Sequence, residues 1–204
     1  GKLPQIITDA DCKLTLYRNC RNTIKIARSA TVTITPKPPL MMETAPDGDN
    51  PMVCYCNDVS SIKGKVEKTI SDLLQKGYAR KDIVVLSLKG ENSKMRIGED
   101  KVNGVRYITI NRFKGLEAKV VIIVDFDQST FDSEEDCSLY YVAASRAREK
   151  LFVFSIMTDE DASYINERVF KWYIQGIDPS KTVLPIKDRK SFEKAIGLRR
   201  LSTK

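Results

Sequence analysis

A pair of arginines within an apolar segment is the first place in this sequence where chemistry could occur. The segment Leu139–Phe154, LYYVAASRAREKLFVF, holds Arg146 seven residues after Leu139 and four after Val142. On the helix predicted over 137–148, these side chains share one face. A guanidinium beside apolar groups needs an anion to offset its desolvation. The residues leave two anions open: a nucleotide γ-phosphate or a carboxylate of the same chain.

A second segment, Thr109–Asp125, joins a polar turn to an apolar run and reads TINRFKGLEAKVVIIVD. Gly115 in the turn permits either a close backbone approach to a phosphate or a tight entry into the following strand. Thr109 and Asn111 stand where the preceding strand ends. They can cap that strand, or they can donate hydrogen bonds to a phosphate or a base.

Absent residue types and motifs exclude several classes of chemistry. The sequence has no histidine, so Ser-His-Asp catalysis, Cys-His catalysis and a histidine general base are all excluded. It has no GxxxxGK[ST] phosphate loop and no GxGxxG fingerprint, which disfavours a dinucleotide-dependent oxidoreductase. Five cysteines without CxxC spacing indicate reduced structural thiols, and no metal site is predicted. Any chemistry must therefore use Arg, Lys, Glu or Asp.

Length and charge bound the organisation of the chain. Its 204 residues suit one domain with a short appendage, predicted as 1–156 and 157–204, and not a complete two-domain motor. Eight basic and two acidic residues follow Ser180, so six of the seven net positive charges lie there. This basic end is either a solvated tail or a nonspecific phosphate contact. The sequence lacks both a membrane-length apolar run and a hydrophobic leader, so a cytoplasmic protein without a membrane partner is predicted.

Alternating strands and helices predict an α/β fold with a mainly parallel sheet and right-handed crossovers. The predicted strands cover 14–18, 52–56, 82–88, 105–110, 120–125 and 150–155, and the predicted helices cover 22–30, 60–76, 137–148 and 162–175. Two strands are unbroken apolar runs, which are typical of a sheet covered on both faces. Asn22 is predicted to cap the first helix and Gly77 to end the second. The acidic loop 127–136 is predicted to face solvent.

Three segments of the chain, taken in order, resemble the signature motifs of one protein family. Thr109–Asp125 resembles motif V of superfamily 1 helicases of the UvrD/Rep kind, and Leu139–Phe154 resembles motif VI. Leu14–Ala27 resembles motif IV, with Asn19-Cys20-Arg21 where family members usually carry Asn-Tyr-Arg. The resemblance implies the second RecA-like domain of such a helicase, a three-layer α/β domain that lacks its own Walker A loop. Its short loop at 89–104 implies a compact version without the family's large accessory insertion.

The resemblance also implies roles at the nucleotide. Arg146 and Arg21 would be the catalytic arginines that contact the γ-phosphate of ATP. Lys114 and Gly115 would bind the nucleotide, and Glu117 would approach its ribose.

A second set of implied roles concerns the nucleic acid. Thr109 would hold the backbone of single-stranded DNA, and Asn111 stands where many relatives have His. Arg148 lies one position off the predicted helical face and is expected to be solvated.

The function implied by the resemblance is that of a C-terminal motor domain in an ATP-dependent DNA helicase or translocase with 3′ to 5′ polarity. ATP and Mg²⁺ would be bound mainly by an N-terminal RecA-like domain of the same full-length protein, so this fragment alone is expected to be inactive. Single-stranded DNA is the expected partner, and RNA stays open as the track. The alternative is a nucleic-acid-binding or regulatory module that keeps the fold without motor activity.

Overall fold

The computed structural model describes residues 18–31, 33–34, 39–95 and 101–165, together with the backbone of 198–200. These residues form a sheet of seven strands: β1 Met52–Cys56, β2 Ile83–Ser87, β3 Lys101–Val102, β4 Val105–Thr109, β5 Ala118–Val124, β6 Ala147–Ile156 and β7 Leu198–Arg200. The helices are α1 Ile24–Thr31, α2 Val59–Gln75 and α3 Glu134–Ala144. Short 3-10 turns connect several of these elements.

The sheet is parallel except at one edge. Its strand order is β3-β4-β2-β5-β6-β1-β7, and only β3 pairs antiparallel with its neighbour. The central strands β2 and β5 pair in register from Ile83 opposite Val120 to Ser87 opposite Val124. Every residue of β2 is buried, and so is every residue of β5 except Lys119. Such runs require helices on both faces.

Helices do cover both faces. On one face α2 presents Ile62, Val66 and Ile70 to a core that includes Ile83 and Val85 of β2. On the other face α1 and α3 pack with the alternate β2 residues, because successive side chains of a strand point to opposite sides. The predicted α/β fold, with a mainly parallel sheet in three layers, is confirmed.

Helix α2 begins and ends at recognisable caps. The Asp58 carboxylate accepts hydrogen bonds from the backbone N–H groups of Ser60 and Ser61 at 3.0 and 2.8 Å. These bonds to Ser61 and Ser60 lower the pKa of Asp58 to about 2. At the other end Gly77 has a φ of +92° and its N–H reaches the carbonyl of Leu74. The predicted role of Gly77 as the helix stop is confirmed by this left-handed conformation.

Helix α3 differs from the predicted 137–148 at both ends. It begins earlier, because the Ser133 hydroxyl accepts the N–H of Asp136 and caps the first turn. It ends at Ala144, and β6 begins at Ala147 instead of 150. Arg146 therefore lies in the two-residue turn between helix and strand, and the prediction that it shares the helical face of Leu139 is wrong.

The first helix also begins differently from the prediction. It starts at Ile24, so Thr23 occupies the capping position expected for Asn22. The predicted strand at 14–18 lies almost wholly outside the described residues, and so does most of the predicted helix 162–175.

Residues 159–165 are helical, and the core continues into them through Met157, Ala162 and Ile165. The predicted boundary at 156 stays a prediction. Among the described residues, none of the helices has the length and apolar character needed to cross a membrane.

Candidate functional site

An acid between two arginines lies at the amino-terminal edge of the sheet, where β5 and β6 begin. The Glu117 carboxylate lies 3.0 Å from Nε of Arg21 and 3.5 Å from a terminal nitrogen of Arg148. All three side chains are between 41 and 54% exposed. The structure thus brings together the predicted motif IV arginine and the predicted motif V glutamate. It adds Arg148, which is exposed as the sequence predicts and also pairs with Glu117.

Asn22 ties the loop that carries Arg21 to the turn that carries Arg146. Its side-chain amide donates to the carbonyl oxygens of Ser145 at 2.9 Å and Ala147 at 2.6 Å, and the residue is 3% exposed. Two buried carbonyls at a helix end are thereby satisfied. Asn22 is not the predicted helix cap, and its real partners lie more than 120 residues away in sequence. No local pattern could have identified them.

Asn19 shapes the same loop from its amino-terminal side. Its carboxamide oxygen accepts the backbone N–H groups of Arg21 and Asn22 at 3.0 and 3.1 Å. Its amide group donates to the Asn22 oxygen at 2.9 Å, which leaves the Asn22 amide free to point at the α3–β6 turn. An asparagine two or three residues before such a turn is a common local motif, and its presence was readable in the sequence.

Arg146 is held by its backbone and is unpaired at one side-chain nitrogen. Its N–H donates to the carbonyl of Ala143, and its carbonyl accepts the N–H of Ala118 at 3.1 Å. Ala118, the residue after Glu117, is therefore joined to Arg146 by a backbone hydrogen bond. Arg146 Nε is buried without a hydrogen-bond partner, and among the described residues no carboxylate forms an ion pair with this arginine. The alternative of a simple internal ion pair is thus not found in the described part of the chain.

The turn before Glu117 is tight, and Gly115 is the residue that permits it. Its φ of +82° lies in the left-handed region, while a Cβ added there would meet nothing within 4 Å. Glycine is therefore required at this position by the backbone conformation and not by crowding from neighbouring atoms. Lys114 is exposed beside it, and among the described residues it forms no ion pair.

The predicted nucleic-acid contacts lie at the opposite, carboxy-terminal edge of the sheet. Thr109 ends β4 opposite Ser87, and its side chain forms no cap hydrogen bond to the 3-10 turn that follows. Asn111 is exposed in that turn. The seven residues of β5 separate the two edges by about 20 Å. The predicted DNA-binding residues and the predicted nucleotide-binding residues Lys114, Gly115 and Glu117 are thus on one continuous segment but not in one cluster.

A buried carboxylate at the carboxy-terminal edge escaped the sequence reading. Asp125 is 7% exposed, has a φ of +70°, and accepts the hydroxyl groups of Ser87 and Ser93 at 2.8 Å each. Burial raises its pKa, although the two hydroxyl groups and Lys89 act in the opposite direction.

Part of the acidic loop beside Asp125 is also held down. Asp127 is paired with Lys89 and caps the next 3-10 turn, so its side chain is partly buried. The prediction that this part of the loop faces solvent is therefore wrong for Asp127. Together these contacts fasten the loop after β2 to the end of β5.

Comparison with known proteins relates part of the chain to a helicase family. The family model described as UvrD-like helicase C-terminal domain matches residues 104–154, which include Thr109, Glu117 and Arg146 but not Arg21. A probable DNA helicase II homolog of Mycoplasma capricolum subsp. capricolum is 26% identical over 113 residues, which is 50% of this chain and 16% of that protein. The chain thus spans a small part of that relative's length.

Among solved structures, the C-terminal domain of a possible DNA helicase from Lactobacillus plantarum WCFS1 is similar with a TM-score of 0.46 and 17% identity, covering 67% of this chain and 86% of that one. The family match over 104–154 coincides with the segments that resemble motifs V and VI. Residues 104–154 are thus similar to the UvrD-like helicase C-terminal domain, and the resemblance seen in motifs V and VI is confirmed for this part of the chain.

Proposed function

We propose that this chain is the C-terminal motor domain of an ATP-dependent DNA helicase or translocase. In the longer protein, ATP and Mg²⁺ would sit between this domain and an N-terminal RecA-like domain that carries the phosphate loop. The observation that carries the proposal is the arrangement at the amino-terminal edge. Two arginines there share one exposed carboxylate, and the adjacent Arg146 keeps a buried Nε without a partner.

The chemistry of these groups suits a triphosphate. A guanidinium that is partly desolvated and unpaired gains most from a doubly charged, multidentate anion, and a γ-phosphate is such an anion. The ion pairs of Glu117 are exposed, so exchanging them for a ligand costs little. Arg146 and Arg21 would stabilise the charge that develops on the transferred phosphoryl group. Glu117, released from the arginines, would accept hydrogen bonds from the ribose hydroxyls, with Lys114 and Gly115 in the adjoining turn.

The nucleic-acid track would lie at the other edge. Thr109 and Asn111 present a hydroxyl and an amide where the sheet ends, and such groups contact phosphates and sugars. Because both edges belong to one segment that includes β5, closure of the nucleotide cleft would move the track residues relative to the first domain. Translocation from 3′ to 5′ would follow from this coupling as the family implies.

Within the described residues no three Asp, Glu, Cys or His side chains gather as a metal site. Mg²⁺ would be bound mainly by the upstream domain, as the resemblance to helicases implies. The chain on its own is expected to hydrolyse no ATP.

The test is ATP hydrolysis by the full-length parent protein, with and without single-stranded DNA, for wild type and Arg146→Ala. We expect strand-stimulated turnover that falls about 100-fold or more in the variant, the scale seen when a charge-stabilising group is removed. Arg28→Ala is the matched control, because Arg28 is an exposed arginine in the last turn of α1. RNA of the same sequence tests the alternative track. Equal turnover in wild type and Arg146→Ala, or none in wild type, would leave a binding module without motor activity.

A further inference from the structure

A groove with three cations lies beside the turn that carries Glu117 and is separate from the arginine pair. It has a cavity volume of about 300 Å³, and its lining includes Arg80, Lys81, Arg106, Phe113, Leu116 and Glu117. We call it the cationic groove. Its cations come from separate elements: Arg80 and Lys81 from the 3-10 turn after α2, and Arg106 from β4.

The charges of the cationic groove are not balanced by the described part of the chain. None of Arg80, Lys81 and Arg106 forms an ion pair there, and all three are exposed. The nearby Asp82 is already paired with Lys119 at 3.3 Å. Glu117, the one carboxylate of the lining, faces Arg21 and Arg148 instead.

Strand pairing places a fourth cation next to Arg106. Lys101 of β3 stands directly opposite Arg106 of β4 in the antiparallel pair, and both are exposed. Like charges in that position repel and destabilise the pair unless an anion lies between them.

Arg80 is held in position. Its Nε donates to the carbonyl of Asn103, and its side chain lies over Gly104, where any Cβ would come within 2.9 Å of Nε. Arg80, which lines the groove, is thus positioned by a backbone carbonyl and not by a carboxylate.

We propose that the cationic groove binds the phosphodiester backbone of single-stranded nucleic acid. The cations are exposed and spaced over several elements, which fits a row of phosphates better than one compact polyphosphate. Exposed Leu116, at 47%, offers an apolar contact for a sugar or a base beside the phosphates. The groove lies at the opposite edge of the sheet from Thr109 and Asn111, so it would be a second, separate contact for the strand. The inference rests on the proposed function only in taking nucleic acid as the ligand.

Binding of a fluorescent oligothymidylate to this chain, measured by anisotropy over a series of salt concentrations, tests the groove. Removing two phosphate contacts in Arg80→Ala/Arg106→Ala should reduce the slope of log K against log salt by about 1.4, from about 0.7 for each contact to a single strand. The charge-retaining pair Arg80→Lys/Arg106→Lys should recover most of that slope. Lys63→Ala/Lys65→Ala is the control, since it removes the same charge from the first turns of α2, which begins at the other edge of the sheet.

An equal loss of slope in the Lys63→Ala/Lys65→Ala control, or no change of slope in Arg80→Ala/Arg106→Ala, would contradict nucleic-acid binding by the groove. So would a third result, in which Arg80→Ala/Arg106→Ala loses binding of inorganic tripolyphosphate but keeps binding of the oligonucleotide. The last would assign these cations to a nucleotide. A melting temperature for each variant separates lost binding from lost folding. ATP hydrolysis plays no part in these binding measurements. The proposal that the groove binds nucleic acid can therefore be contradicted while the proposed role of Arg146 stands, and the role of Arg146 can be contradicted while the groove proposal stands.

Discussion

The two ends of strand β5 each carry a carboxylate, and these two acids are held in opposite ways. Glu117, just before the strand, is 41% exposed and faces two guanidinium groups. Asp125, just after the strand, is 7% exposed and is held by two serine hydroxyls. One acid is exposed and paired with cations, and the other is buried and held by hydroxyl groups.

The difference shows which end is structural and which is available to a ligand. Exposed ion pairs contribute about 0 to 1 kcal/mol, so the arginines at Glu117 can be transferred to an incoming anion at small cost. The serines at Asp125 are buried, and losing their acceptor leaves buried donors unsatisfied. The comparison therefore predicts large effects on folding at Asp125 and small ones at Glu117.

The largest expected effect on stability is that of Asp125→Ala. Two buried hydroxyls lose their acceptor, and an alanine must take up the φ of +70°. We expect a loss of about 3 kcal/mol in the free energy of unfolding, measured by urea denaturation. Asp132 is an exposed acid of the loop 127–136 that follows Asp125. Asp132→Ala is the control and should change the free energy of unfolding by less than about 0.5 kcal/mol. Similar values for the two variants would contradict a structural role for Asp125.

Asn22→Ala should have the next largest effect. It removes both hydrogen bonds to the carbonyls of Ser145 and Ala147, which stay buried. A loss of about 2 kcal/mol in the free energy of unfolding is expected by urea denaturation. Asn57→Ala serves as the control because Asn57 is exposed. A near-zero change at Asn22 would mean that the turn carrying Arg146 is fixed by its backbone alone.

The pH dependence of stability should distinguish Asp125 from Asp58. The pKa of Asp125 is raised by burial above 3.8, so the folded state binds its proton more tightly than the unfolded state. Its contribution is fully present below pH 3.8 and is lost as pH rises through the folded pKa. Relative to Asp125→Asn, wild type should therefore lose stability as pH increases through that window.

Asp58 has the opposite sign. Its pKa is lowered to about 2 by hydrogen bonds from Ser61 and Ser60, so its contribution is present above pH 3.8 and is lost as pH falls toward 2. Urea denaturation at several pH values, with Asp58→Asn beside Asp125→Asn, measures both slopes. Slopes of the same sign would refute the assignment of one acid to burial and the other to capping.

Glu117→Gln should have the smallest effect on folding. The variant loses two exposed ion pairs with Arg21 and Arg148, so a change within about 1 kcal/mol is expected by the same denaturation measurement. A loss as large as that of Asp125→Ala would mean that the two ends of β5 are held alike, and it would remove the argument that the arginines are free to bind an anion.

Local sequence was enough for the elements whose signals lie within a few residues. The apolar runs predicted at 82–88 and 120–125 are found as β2 and β5, and Gly77 ends α2 as predicted. The motif V and VI segments lie within residues 104–154, which the helicase family model matches, and each motif consists of residues that are close together in sequence. Hydrophobic periodicity and turn chemistry are local properties, so they survive without tertiary information.

The tertiary structure alone decided where α3 ends and which groups meet. Asn22 bonds to Ser145 and Ala147 from far along the chain, and the helical pattern gave no sign that it stops before Arg146. Asp125 reads as the end of an apolar run, yet strand pairing brings two serines to it. A parallel sheet joins residues that are distant in sequence. The partner of a buried polar group is therefore set by strand order, which a single sequence does not state.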